Sequence, residues 1–139
     1  MTELSPSLED YLEAVYTLSR EEGFTRACRV SELLKVSSPS VNSAIKGLAV
    51  RGLAAQERYG CIRLTAAGRK AGAEISARHA LLKDFFVSIL GMGETAAEKD
   101  ACRAEHALSR DALARVGRLA VFLKGRPGAC LPARAGRRA

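Results

Sequence analysis

Most of the chemistry this chain can offer lies near position 100. Cys102, Glu105 and His106 stand at i, i+3 and i+4. On a helix that spacing puts a thiolate, a carboxylate and an imidazole on one face, where they can converge on a cation. Glu98 falls in the same arc of about 100°. The chain has 2 His; the other, His79, sits in the stripe Ala71, Ile75, His79, Leu82, Phe86 and Ile89 of a long helical stretch, so it turns inward. Asp10 and Glu13, three apart, share the face of a first helix opposite its apolar stripe. Taken singly, each has a plain explanation: a hydrogen-bonded core His, a small apolar Cys, acids favoured near a helix N-terminus. Taken together, both His with a Cys and several acids read as a site for a divalent transition metal.

The elements that must position these residues follow from periodicity and punctuation. Ser7 can cap a helix to about Ser19 with Leu8, Tyr11, Leu12, Val15 and Leu18 in one stripe. Ser31 is a possible cap for a short helix burying Leu33 and Leu34, and Val36-Ser37 a tight connection. Ser38-Pro39 is a cap followed by a first-turn proline. The helix it starts, to about Arg51, buries Val41, Ala44, Ile45 and Leu48 and offers Ser40, Asn42, Ser43 and Lys46 outward. Two short helices joined by a few residues suggest a helix-turn-helix. In GLAAQERYGCIRLT a polar turn, Arg58-Tyr59-Gly60, separates two strand-like arms, with Ile62 and Leu64 facing one way and Cys61 and Arg63 the other. A basic hairpin after a recognition helix is the wing of a winged helix, and Arg58, Tyr59 and Arg63 can reach phosphates. Thr65 starts the long helix, to about Leu90. Gly91-Met92-Gly93 ends it, and Ala-rich helices from about Glu94 to Ala107 and from Ser109 to Leu123 follow, suited to close packing and dimerisation.

Charge supports the same division. The net charge is +7. Residues 1–22 hold one Arg against six acids, whereas residues 23–70 hold nine Lys/Arg against two acids. A basic segment between acidic and neutral ones suggests a polyanion-binding face. The 139 residues suffice for one domain or two small lobes. No apolar run reaches the roughly 18–20 residues of a membrane span, the N-terminus does not read as a targeting peptide, and the 4 Cys show no CxxC, so reduced thiols in a cytoplasm are expected. There is no GxGxxG, Walker loop, GxSxG or HExxH, which disfavours common nucleotide-binding and hydrolytic sites.

SPSLEDYLEAVYTLS, VSELLKVSSPSVNSAIKGLAVRGL, YGCIRLTAAG, RHALLKDFF and ACRAEHALS together resemble the metal-dependent transcriptional repressors of the DtxR/MntR type, over about Ser5 to Leu123. The resemblance implies a homodimeric winged-helix repressor that binds operator DNA when loaded with Mn(II) or Fe(II). By position it makes Asp10, Glu13, His79, Cys102, Glu105 and His106 the metal ligands, a hybrid of manganese-type residues on the first helix and an iron-type Cys at 102. The iron-type branch expects an acid at 83 and a His at 98, where this chain has Lys83 and Glu98. The SH3-like C-terminal domain has no counterpart, as in the shorter manganese-type members, and Cys130 is given no role.

The expected architecture is mainly α: a winged helix-turn-helix DNA-binding domain (1–70), a helical metal-binding and dimerisation domain (71–124) and a flexible basic tail (125–139). Ser37, Pro39, Ser40 and Ser43 are expected near bases or phosphates, with Lys46, Arg51, Arg58 and Tyr59 holding the DNA backbone. The expected partners are double-stranded operator DNA and a second copy of the chain, with no membrane and no small-molecule substrate. The expected function is metal-activated repression of metal-homeostasis genes. A winged-helix regulator without metal response, or one sensing oxidation through Cys102, is the alternative; a metalloenzyme lacks a spare general base and a pocket signature.

Overall fold

A computed structural model describes residues 4–126, 128 and 131. Cys130 and most of the basic tail lie outside the described residues. The chain divides into two compact units, Met1–Ser76 and Ala77–Ala139.

In the first unit, α1 (Pro6–Ser19) is capped by Ser5, whose side chain accepts from Leu8 N, with Pro6 opening the helix. The cap is thus two residues earlier than Ser7, because Pro6 itself fits the first turn. Leu12 and Val15 on its stripe are fully buried. Next come β1 (Thr25–Arg26) and α2 (Ala27–Leu34). Ser31 lies inside α2 rather than at its start, and its Oγ donates to the Val36 carbonyl past the helix end. Val30 is the buried residue of α2, while Leu33 is 51% exposed, contrary to the expected burial of Leu33. Val30 and Leu34, four apart, take the inward face of α2, which leaves Leu33 turned outward.

α3 (Ser38–Val50) follows Lys35, which closes α2 in the left-handed conformation (φ 55°). Ser37, not Ser38, is its N-cap, and Pro39 sits in its first turn. Val41, Ala44, Ile45 and Leu48 are buried, as their spacing predicts. β2 (Ala54–Gln56), a 3₁₀ turn at Arg58–Gly60 and β3 (Cys61–Leu64) form the wing. Ile62 and Leu64 point into the core while Arg63 is exposed. The sheet has three strands in the order β1-β3-β2, all antiparallel, with Thr25 opposite Ile62 and Ala55 opposite Arg63. β1 has no periodic signal, since two residues cannot show one.

α4 (Ala66–Asp84) has residues in both units. Its start is fastened by Thr65, which donates through Oγ1 to the Gly52 carbonyl (2.7 Å) and accepts from Gly68 N (3.0 Å). At Gly68 the helix meets the preceding loop so closely that an added Cβ would lie 1.9 Å from the Leu53 carbonyl oxygen.

In the second unit the helix does not continue to Leu90 as an α-helix. A π turn, Phe85–Ile89, replaces its last stretch, closed by Leu90 N donating to Phe85 O (3.2 Å). α5 (Glu94–Ala104) and α6 (Arg110–Lys124) follow, and α6 is capped by Ser109 as its sequence predicts. α5 ends three residues earlier than expected, with Glu105 as its C-cap. Leu82, Ala101 and Leu113 form the core, with Leu81, Phe86, Ala104 and Val116 around them. Asp84 ties the π turn to α6: it accepts from Ser88 Oγ and from Lys124 Nζ. The Lys124 hydrogen bond holds its carboxyl below the usual aspartate value, against the opposing effect of burial.

Gly68→Ala should cost the first unit about 1–3 kcal/mol, the usual range for forced overpacking; a denaturant midpoint equal to wild type would contradict the close approach. Because the folded-state pKa of Asp84 is depressed, its stabilisation is present above the ordinary aspartate value and lost as pH falls through the lowered one. The melting temperature of Asp84→Asn should lie below wild type at neutral pH, and the gap should close on acidification; a gap independent of pH would show the ion pair to be inert.

Candidate metal centre and nucleic-acid face

The second unit brings four of the sequence-predicted ligands together with Glu98. His79 comes from α4, Glu98 and Cys102 from α5, Glu105 from its C-cap and His106 from the turn beyond. The i, i+4 spacing of Glu98 and Cys102 aims both at the His79 ring. His79 Nε2 lies 2.8 Å from Glu98 Oε1, while Nδ1 lies 2.9 Å from Glu105 Oε2 and 3.7 Å from Cys102 Sγ. His106 Nε2 lies 3.3 Å from Glu105 Oε1. The Glu105 side chain has 0% exposure, that of His106 7% and that of His79 14%. Cys102 is exposed and is not part of a disulfide.

A carboxylate fully removed from water is costly unless cations or strong donors meet it. Glu105 meets two imidazoles, one at each oxygen. Ligand atoms of His79, Glu98 and Cys102 all lie within 4.8 Å of one another. Nitrogen, oxygen and sulfur donors at this density suit a borderline transition-metal ion, so the residues fit the metal that the sequence implies. For Glu98, burial would raise the carboxyl, but hydrogen bonds and charge from Lys83 and His79 together hold it below its ordinary value. Lys83 Nζ stands 3.1 Å from Glu98 Oε2. Nothing in the sequence signals this ion pair, because its partners lie on different helices. Asp10 and Glu13 lie on α1, in the first unit.

The other predicted face lies wholly in the first unit. Ser37, Pro39, Ser40, Ser43, Lys46, Arg51, Arg58 and Tyr59 are all exposed. Ser37 and Ser40 hydrogen-bond each other through their hydroxyls (2.8 Å). Arg51 Nη1 donates to the Gly47 carbonyl of α3 (3.0 Å), which holds its guanidinium against the end of that helix. Tyr59, 88% exposed, stands at the wing tip in the left-handed conformation (φ 66°), followed by Gly60 (φ 74°). Sequence reasoning missed two supports of this face. Arg26 Nη1 donates to the Tyr59 carbonyl (3.2 Å), bracing the wing tip. Gln56 Nε2 donates to Asn42 Oδ1 (3.4 Å), linking wing to recognition helix.

Comparison with known proteins agrees with this two-part arrangement. Residues 3–62 match the iron-dependent repressor N-terminal DNA-binding domain, and residues 65–129 the iron-dependent repressor metal-binding and dimerisation domain. The chain belongs to the iron-dependent repressor family. It is accordingly a metal-dependent transcriptional repressor, not an enzyme. It is 38% identical over 120 residues to the HTH-type transcriptional regulator MntR of Shouchella clausii, covering 86% of this chain and 83% of that one. The corresponding regulator of Geobacillus kaustophilus is 34% identical, covering 86% and 84%. A solved manganese-dependent transcriptional repressor in complex with manganese matches with a TM-score of 0.74 and 30% identity. That match covers 83% of this chain and 53% of the other, so the chain spans about half the length of that structure. Among the described residues no helix is long and apolar enough to cross a membrane.

Proposed function

We propose that this repressor works as a cytoplasmic homodimer that binds operator DNA when loaded with Mn(II) or Fe(II) and controls metal-homeostasis genes. The observation that carries the metal reading is the buried Glu105 carboxylate between His79 and His106, with Cys102 beside them. The proposed ligands are Asp10, Glu13, His79, Cys102, Glu105 and His106, the first two resting on the family resemblance. Residues 1–70 are the DNA-binding domain and residues 71–124 the metal-binding and dimerisation domain. No small molecule other than the metal is required.

When bound, a divalent cation supplies two positive charges to a ligand set otherwise rich in carboxylates. Glu105 contributes a negative oxygen with no competing water, and His79 and His106 contribute imidazole nitrogens. Cys102 adds a soft donor, which moves preference from Mn(II) toward Fe(II), Co(II) or Zn(II). Asp10 and Glu13 belong to the helix that packs beside α3, so their engagement links metal occupancy to the recognition helix. Moving a two-state equilibrium from 1:99 to 99:1 takes about 5.5 kcal/mol of differential binding, within reach of a site of four to six ligands.

On the DNA side, Ser37, Pro39, Ser40 and Ser43 enter the major groove, and Lys46, Arg51, Arg58 and Tyr59 hold the backbone. Short hydroxyl side chains discriminate bases weakly, so sequence choice rests partly on DNA shape and bridging water.

Anaerobic titration of the chelator-stripped protein with Mn(II) and Fe(II), read out by operator binding, should show metal-dependent affinity. His106→Ala should bind metal weakly and drop to the metal-free affinity while remaining folded and dimeric; tight operator binding in chelator by both wild type and this variant would replace the metal switch with a metal-independent regulator. Lys46→Ala and Arg58→Ala should each weaken binding to all sequences alike and reduce the salt slope by about one, as loss of one phosphate contact requires. Unchanged slopes in both would remove the wing and recognition helix from the interface.

A further inference from the structure

Arg26 stands where three parts of the first unit meet. Its backbone pairs with Cys61 on β3, the second strand of the wing. The same residue is the N-cap of α2, the first helix of the helix-turn-helix, and its side chain makes no capping bond there. That side chain reaches instead to the wing tip, where Nη1 donates to the Tyr59 carbonyl (3.2 Å).

The tip needs such a bond. Glu57 N donates to Cys61 O (2.7 Å), which closes the hairpin and leaves Arg58, Tyr59 and Gly60 to make the reversal. Tyr59 and Gly60 both take left-handed backbone conformations. Glycine does so freely. A residue with a Cβ and a bulky ring does so against steric strain, and stays there only where its surroundings hold it. The Tyr59 ring is almost fully exposed, so packing does not supply the constraint; the bond to its carbonyl does. The arginines around the wing divide the work. Arg63 is committed elsewhere, with Nε 3.0 Å from Glu57 Oε1 and its guanidinium over the Phe24 ring. Arg58 is exposed, and among the described residues it makes no hydrogen bond or ion pair.

We propose that Arg26 is a positioning residue for DNA binding: its bond to the Tyr59 carbonyl fixes the left-handed tip and ties it to the start of α2, so that Arg58 and Tyr59 are presented to the phosphate backbone already ordered. Ordering a contact before binding removes an entropic cost from the bound state. The inference rests on the DNA-holding roles given above to Arg58 and Tyr59. It sets Arg26 apart from them, because a guanidinium spent on a carbonyl of the protein acts through the tip and not through a phosphate of its own.

Two measurements on the full-length protein test it. The first needs no DNA. Chymotrypsin cleaves after tyrosine, and the Tyr59–Gly60 bond contains the carbonyl that Arg26 holds. Without the brace the tip opens more often, so in Arg26→Met cleavage at Tyr59 should run several-fold faster than in wild type, with cleavage after Tyr11 and Tyr16 of α1 unchanged. An unchanged rate at Tyr59, or an equal rise after all three tyrosines, would overturn the proposal, the latter by making Arg26 a prop of the whole unit. The second measurement titrates the protein, with Mn(II) in excess, against a mixed-sequence DNA duplex three helical turns long over a range of salt. Arg26→Met should weaken binding about three- to tenfold, the range of one intramolecular hydrogen bond. Added to Arg58→Ala with Tyr59→Ala, it should cause no further loss and leave the salt slope of that protein where it was, since the tip then has nothing to present. A further loss of the same size, with the slope lower by about one, would give Arg26 a phosphate contact of its own. That result overturns the proposal and leaves the DNA-facing wing standing, whereas full affinity in the Arg58→Ala, Tyr59→Ala protein defeats both.

Discussion

The second unit is organised around one buried charge in an unfavourable place. Glu105 is fully buried and caps the C-terminal end of α5, where the helix dipole already presents partial negative charge. Desolvation and dipole both act against an anion there, and both favour a cation beside it. The chain meets this demand with imidazoles from α4 and from the turn after α5. The packing of Leu82, one turn from His79, against Ala101, next to Cys102, holds those helices at the distance the side chains need. A residue that makes the metal-free state expensive is well suited to a sensor, since it makes occupancy matter to the stability of the site.

Much of this was legible from spacing. Cys102, Glu105 and His106 announce themselves as i, i+3, i+4, and His79 by interrupting an apolar stripe with a polar ring. The inward set of α3 and the alternation of Cys61, Ile62, Arg63 and Leu64 were equally readable, because burial imposes a period on each. What escaped was whatever depends on neighbours distant in sequence. Arg26 braces a wing tip thirty-three residues away, and β1 exists only as a partner of β3. Glu98 was visible on the right arc, but its commitment to Lys83 was not. The caps slipped by one or two residues in runs such as SPS and SSPS, where every Ser is a competent cap and the proline's own position decides between them.

The DNA-facing unit solves a different problem, that of holding short side chains steady. Ser37, Ser40 and Ser43 reach only slightly beyond the α3 backbone, so their usefulness depends on how firmly the helix is carried. Val41, Ile45 and Leu48 are fully buried beneath it, and Asn42 ties its outer edge to Gln56 on the wing. Thr65 then fastens the loop after α3 to the start of α4. Recognition helix, wing and first turn of α4 are thereby bound in one network, so disturbance at any of them reaches the others.

The π turn at Phe85–Ile89 sets a limit on how this chain can change in length. Such a turn holds one residue more than the α-helical turn it replaces. Deleting one residue within it would leave a plain α-helical turn and keep the segments on either side in phase, whereas inserting one would rotate everything downstream by about 100° relative to what precedes it. An insertion would take Ile89 from its buried position. Conservative replacements of the apolar side chains leave that phase untouched. The register of this stretch is therefore held by its residue count as much as by the identity of any one side chain, with one residue of slack toward deletion and none toward insertion.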